Sequence, residues 1–220
     1  MNENDIQRVI AYVDGFNLYF GLRDSNFKRF YWLNIQLLAQ NLLKERQQLL
    51  LTKYFTARIT APAEWDKSFL SAKLKEKRRR QATFIEALET LQDFRLYYGH
   101  YLDNSVECWA CGRRWLDPKE KMTDVNIATE MLIDSFENRF DMALLISADS
   151  DLVPPIRAIR RIYPSKRFVC AFPPARSSEH LKNAANAFLN IGRGTLAKSQ
   201  FPDRVRKPDG YVLHKPDSWR

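Results

Sequence analysis

The stretch LLISADSDLVPPI, residues 144–156, decides the fold. An apolar run stops at Ser147, Asp149 and Asp151 follow one residue apart, and the chain turns apolar again through Pro154 and Pro155. A short continuous apolar run reads as a parallel strand buried on both faces, here over residues 142–148. Prolines are tolerated in a first helical turn, where the missing N–H groups cost little, so a helix is expected from Leu152 to Ile162. Two negative charges therefore stand where a buried strand hands over to a helix, a costly position unless something compensates them.

Working outward, VIAYV at residues 9–13 has the same character and ends at Asp14. DGFNLYFGL follows, turn-like first and then helical. Asn34 is placed to cap a helix over 35–43, where Ile35, Leu38, Leu42 and Leu43 repeat at helical spacing. Further strands are expected over 49–59, 94–102 and 167–172, and helices over about 64–92, 123–138 and 178–188. Thr123 is expected to cap its helix, with Val125, Ala128, Met131, Leu132 and Ile133 turned inward. Residues 103–120 read as an irregular insertion, and everything past about residue 200 as a loosely held basic tail, leaving one domain over 1–200. Strands alternating with helices imply an α/β fold with a mainly parallel central sheet and helices on both faces.

In such sheets ligands bind beyond the carboxyl ends of the strands, where strand order reverses. Asp14 and Asp149 end two strands, Asp151 starts a helix, and Asp124 begins the helix before the 142–148 strand. Asn17 lies close to Asp14 in sequence. Gathered carboxylates repel strongly, and burial worsens it. Either some stay protonated, or a cation neutralises them, and hard oxygen ligands suit Mg²⁺ or Mn²⁺. Cations held this way act on phosphate esters. Each acid also has a plainer role. Asp151 suits a helix cap, Asp124 a first-turn acid facing the helix dipole, and Asp14 a turn.

The segments VDGFNLYFG (13–21), EKMTDVNIATEML (120–132) and LLISADSDLVPPI together resemble the three motifs of NYN-domain proteins, in particular the LabA-like (DUF88) branch, within the PIN-like nucleases. The resemblance spans roughly residues 8–172. It implies a Rossmann-like PIN/NYN fold and metal-dependent ribonuclease chemistry. Carried over by motif, Asp14, Asp124, Asp149 and Asp151 would be metal ligands, directly or through water. Asn17 would position water, metal or phosphate, and Ser147 and Thr123 would assist by hydrogen bonding. Ala148 stands where family members more often carry glycine. A non-catalytic RNA-binding or regulatory module on the same fold stands as the alternative. A phosphatase using Asp14 as nucleophile fits less well, because such enzymes carry D-x-D there and this chain has D-G-F-N.

The formal charge of +9 raises the prospect of a polyanionic partner, RNA for this family. KLKEKRRR at 73–80 is its densest source, with Lys73, Lys77 and Arg80 roughly on one helix face as candidates for guiding the RNA backbone. Lys121 and Arg157, with Arg160 and Arg161, are further candidates, and Tyr19 and Phe20 are placed to stack on bases. Cys108-Trp-Ala-Cys111 resembles half of a zinc knuckle. A structural Zn²⁺ wants four ligands, which leaves His100 or a second copy in a homo-oligomer to complete the set. Three cysteines do not make a secreted disulfide framework, no leader-like segment opens the chain, and no apolar run is long enough for a membrane. A cytoplasmic protein is the expectation.

Overall fold

The structure is a computed structural model that describes residues 6–59, 72–102, 105–116 and 119–220. The chain runs β1 (Gln7–Asp14), α1 (Gly15–Asp24), α2 (Ile35–Asn41), β2 (Gln47–Ala57), α3 (Ala72–Leu88), β3 (Phe94–Leu102), β4 (Ser105–Glu107), β5 (Arg114–Leu116), β6 (Lys119–Lys121), α4 (Thr123–Phe136) and β7 (Met142–Ile146). A single 3₁₀ turn at Ser150–Leu152 leads into α5 (Val153–Ile162). The remainder is β8 (Arg167–Phe172), α6 (Glu179–Ala184), β9 (Ala187–Asn190), α7 (Arg193–Lys198), β10 (Arg204–Arg206) and β11 (Val212–His214). The first part of the helix expected from residue 64 lies outside the described residues.

Seven strands form the central sheet in the order β6-β3-β2-β1-β7-β8-β9. All neighbours are parallel except β3 and β6. The chain moves outward from β1 to β2 and β3 on one side, then returns to lay β7, β8 and β9 on the other. Strand order therefore reverses between β1 and β7, which opens a crevice at their carboxyl ends. β1 has no solvent face. Val9, Ala11 and Val13 pack with residues of α1, α2 and α7 on one side. Ile10 and Tyr12 pack with residues of α4, α5 and α6 on the other. This is the two-sided burial that its unbroken apolar run implies.

Several local expectations change. Thr123 does not cap α4. Met122 precedes the helix in the left-handed region (φ 77°) and offers no side-chain cap. The N–H and hydroxyl of Thr123 both donate instead to the Glu120 carboxylate, the N–H at 3.0 Å. Val125, Leu132 and Ile133 face solvent with Phe136, which is 78% exposed, while Met131 is buried as expected. The reason lies beneath α4. Its inner face carries Asp134 and the partly buried Glu130, and both meet Lys53, which is fully buried in β2, at 2.6 Å. The hydroxyls of Tyr12 and Tyr97 donate to the same two carboxylates at 2.6 and 2.7 Å. Burial raises the Tyr12 phenol well above its ordinary value, helped by the Asp134 charge. Burial pushes the Glu130 carboxyl up, but bonds from Lys53 and Tyr97 win and hold it below the usual range. A charged cluster thus fastens α4 beside the apolar seam of Ile127 and Met131.

The insertion is not irregular. β4 and β5 pair as an antiparallel hairpin whose turn is Cys108–Gly112. Gly112 takes φ 67°, a conformation that costs glycine little. The helix expected over 178–188 stops at Ala184, and β9 extends the sheet instead. Residues past 200 do not hang loose. β10 and β11 pair, Val205 and Leu213 are buried, and Trp219 (9% exposed) packs its ring against Tyr31, Trp32 and Phe84. No helix among the described residues is long and apolar enough to cross a membrane.

Candidate active site

Asp14 closes β1 and caps α1, so one carboxylate does two local jobs. It is 3% exposed. One oxygen accepts the Asn17 N–H at 2.9 Å, and the other accepts the Ser147 hydroxyl at 2.9 Å. Burial pushes its pKa up to about 6. The two hydrogen bonds pull it down, and the charges of Asp149 and Glu120 add to the rise. Gly15 comes next because nothing larger fits. A Cβ there would stand 2.7 Å from the Phe55 carbonyl and from the Tyr54 phenol.

Ser147 and Asn17 tie the two strand ends together across the crevice. Besides donating to Asp14, the Ser147 hydroxyl accepts the Asp149 N–H at 3.0 Å. The Asn17 side-chain oxygen accepts the Ala148 N–H at 3.0 Å. Asn17 is thus first a staple between α1 and the end of β7. Asp149 caps the 3₁₀ turn through the Asp151 N–H at 2.9 Å, so the cap role weighed for Asp151 belongs to Asp149. Asp151 is exposed and Asp149 partly buried.

Asp124, in the first turn of α4, is partly buried on the same rim. Its pKa is pushed up to about 7, first by burial and then by the charges of Asp14, Asp149, Glu120 and Asp151. The fold thus brings the four aspartates within electrostatic reach, and Glu120 of β6 joins them. Glu120 went unnoticed in sequence. Its one signal is position, an acid three residues ahead of Thr123 in EKMTD, where its oxygen can reach back to the helix start. Gly99 makes room for it, since a Cβ there would lie 2.4 Å from the Lys121 carbonyl and 2.8 Å from the Glu120 carboxylate.

The donor set suits a hard divalent cation: it is all oxygen, excess in negative charge and held at a strand-order reversal. It is a rim and not a closed cage. Among the described residues, no three His, Cys, Asp or Glu side chains are grouped tightly enough to hold one ion together. Cys108 and Cys111 likewise gather no third ligand among the described residues, His100 included. The N–H groups of Ala110 and Cys111, with the Cys111 thiol, hold Cys108 below its ordinary value.

The basic candidates are spread out. Lys77 and Arg80 line a cavity with Tyr19 and Phe20. Lys73 is exposed on α3 and does not line it. Lys121 is exposed on β6, opposite His100. Arg157 lies with Arg160 and Arg161 in a shallow basic recess between α5 and α6.

The acid rim has a consequence for stability. Asp14 and Asp124 hold their protons more tightly folded than unfolded. Their contribution is therefore fully present below about pH 4 and is lost as pH rises through 6 and 7. With Asp124 discounted for exposure, the loss is on the order of 1–3 kcal/mol. In EDTA, Tm should fall by several degrees between pH 5.5 and 8, and millimolar Mg²⁺ or Mn²⁺ should restore it at pH 8. A Tm that is flat across this range and indifferent to both cations would mean the acids do not repel one another.

An α/β sheet of this order with acids on its reversal point is the architecture that the three motifs implied. The model of the NYN domain matches residues 8–192, and the chain belongs to the NYN-domain family of the PIN-like nuclease superfamily. It is 27% identical over 255 residues to 6-hydroxy-3-succinoylpyridine 3-monooxygenase of Pseudomonas putida, a match covering 96% of this chain and 75% of that protein. A crystal structure of a protein of unknown function from Vibrio parahaemolyticus matches with TM-score 0.51 at 16% identity. That match covers 91% of this chain and all of the other, and it speaks for the fold alone.

Proposed function

We propose that this chain is a divalent-metal-dependent ribonuclease that hydrolyses RNA phosphodiester bonds at the rim of Asp14, Asn17, Asp124, Asp149 and Asp151. The observation that carries the reading is the gathering of these acids where strand order reverses, at the ends of β1 and β7 and the start of α4, where burial first and their mutual charges second raise Asp14 and Asp124. An open rim is compatible with magnesium, which dehydrates reluctantly and binds through one or two carboxylates plus waters and phosphate. Asp124 and Asp149 are the better donors, because both Asp14 oxygens are already engaged. What a bound Mg²⁺ or Mn²⁺ supplies is polarisation of a phosphoryl oxygen and charge neutralisation. Asp14, locked by Ser147 and Asn17, fixes the position of the site. Asp124 would hold the cation with Asp149, and the cation's charge would favour the ionised carboxylate that burial and the neighbouring acids disfavour. Lys73, Lys77, Arg80, Lys121 and Arg157 offset the repulsion between the acids and phosphate.

The LabA-like branch assignment rests on the wording of the three motifs. A Zn²⁺ at Cys108 and Cys111 would need two ligands from elsewhere, which a second copy could supply. A second reading, binding of RNA without cleavage, draws on the absence of a three-acid cage among the described residues.

Incubation with single-stranded and structured RNA separates the two. Cleavage is expected with Mn²⁺ or Mg²⁺, abolished by EDTA and by Asp149→Asn. Binding without cleavage across several RNAs and both metals would leave the module reading standing alone.

A further inference from the structure

Beside the acid rim lies a cavity of about 320 Å³, at the lower end of the roughly 300–1,000 Å³ typical of ligand pockets. Its walls are unusually aromatic. Phe16, Tyr19, Phe20, Tyr31, Tyr101 and Trp219 all contribute. Three cations, Lys28, Lys77 and Arg80, stand among them. Among the described residues, neither Lys28 nor Lys77 forms an ion pair, and Glu76 of the same helix as Lys77 pairs with Arg79 and Arg80. Arg80 is steadied by the Ser218 hydroxyl at 2.9 Å, with Glu76 at 3.9 Å. Gly15, the residue after Asp14, forms part of the same wall, so the cavity and the acid rim are neighbours.

We infer that this cavity receives one unpaired base of a single-stranded nucleic acid, stacked on the aromatic wall, with the adjoining phosphates met by Lys28, Lys77 and Arg80. The inference rests on the ribonuclease reading for its choice of ligand. The chemistry points the same way by itself. A planar ring gains from aromatic faces, and each base so stacked contributes whatever its identity. The cations match an anionic group carried beside that ring. A base inside a duplex is covered on both faces and cannot enter, so the pocket selects single strands, loops and frayed ends. The cavity is also assembled from distant parts of the chain. α1 supplies Phe16, Tyr19 and Phe20, α3 supplies Lys77 and Arg80, and the segment after β11 supplies Trp219.

The test separates binding from cleavage. Fluorescence anisotropy of a labelled RNA pentanucleotide is measured in EDTA on the Asp149→Asn chain, where no cutting occurs. The single strand should bind at least about tenfold more tightly than a blunt duplex of the same sequence. Tyr19→Ala and Phe20→Ala should each weaken it by about tenfold, within the range measured for loss of one stacking partner. Circular dichroism confirms folding of each variant, and Trp219→Phe serves where Trp219→Ala does not fold. Equal binding of duplex and single strand, or unchanged affinity in folded Tyr19→Ala and Phe20→Ala, would overturn the inference. A free heterocyclic acid such as a hydroxypyridine carboxylate binding as tightly as the pentanucleotide would also overturn it, and would give the pocket to small molecules. Binding that behaves as expected while the wild-type chain never cleaves would overturn the ribonuclease reading and leave the pocket intact.

Discussion

Asp124→Asn should lose RNA cleavage by about 10²–10⁴-fold and yet unfold at a higher temperature at pH 8. The two effects have opposite signs because the same charge causes both. At pH 8 the Asp124 carboxylate is ionised against its partial burial first, and then against the charges of Asp14, Asp149, Glu120 and Asp151. Asparagine keeps the shape, removes the charge and relieves the repulsion. Stability therefore rises in EDTA, and it should do so more at pH 8 than at pH 5.5, where the native carboxyl is already largely protonated. Activity falls because the group that would hold a cation is gone. Native gels and circular dichroism would exclude misfolding, and cleavage would be followed on a labelled RNA with Mn²⁺. An Asp124→Asn chain that is less stable at pH 8 would mean that the carboxylate serves the fold. A chain that is more stable and fully active would remove Asp124 from the site.

The second large effect is expected at Lys53, outside the acid rim. Its ammonium has no solvent exposure and is held by Glu130 and Asp134, each at 2.6 Å, with Tyr12 and Tyr97 completing the cluster. A buried pair adds little net stability over an apolar replacement, but removing one partner strands the other. Lys53→Met should therefore cost about 3–5 kcal/mol, a fall in Tm on the order of 10 °C for a chain of this size. Arg139, 3.3 Å from the other oxygen of Asp134, softens the loss without replacing the ammonium. The double change Lys53→Met with Asp134→Leu should recover part of it, since the fully buried carboxylate is then gone and only the partly exposed Glu130, still bonded by Tyr97, has lost its cation. Urea unfolding of both chains decides the matter. A Lys53→Met loss below about 1 kcal/mol, or a double variant no better than the single, would show that water or a rearrangement compensates Asp134.

Much of the sheet was readable from apolar runs. β1, β7 and β8 are buried on both sides, so their sequences are nearly unbroken in hydrophobicity and end where the strand ends. The acid rim was readable for the same reason, because Asp14 and Asp149 are conspicuous at the ends of such runs. What escaped depends on partners far away in the chain. Val125, Leu132 and Ile133 share a helical stripe, and a stripe normally faces the core. Here the core side carries Ile127 and Met131 together with Glu130 and Asp134, whose charges are made tolerable mainly by Lys53 from another strand. β9 escaped because it is a short, largely exposed edge strand, and Phe188 continues the helical spacing of Leu181 and Ala184. The last segment looked polar because its few apolar residues, Val205, Leu213 and Trp219, are isolated in sequence and meet their partners only in space.

That last meeting sets an order of events. Trp32 and Trp219 have ring centroids 6.3 Å apart, although most of the chain lies between them. During translation the β1 and β7 ends, with their acids, leave the ribosome well before residue 219 does. A partly made chain therefore carries the acid rim with one aromatic wall of the neighbouring cavity still unsynthesised.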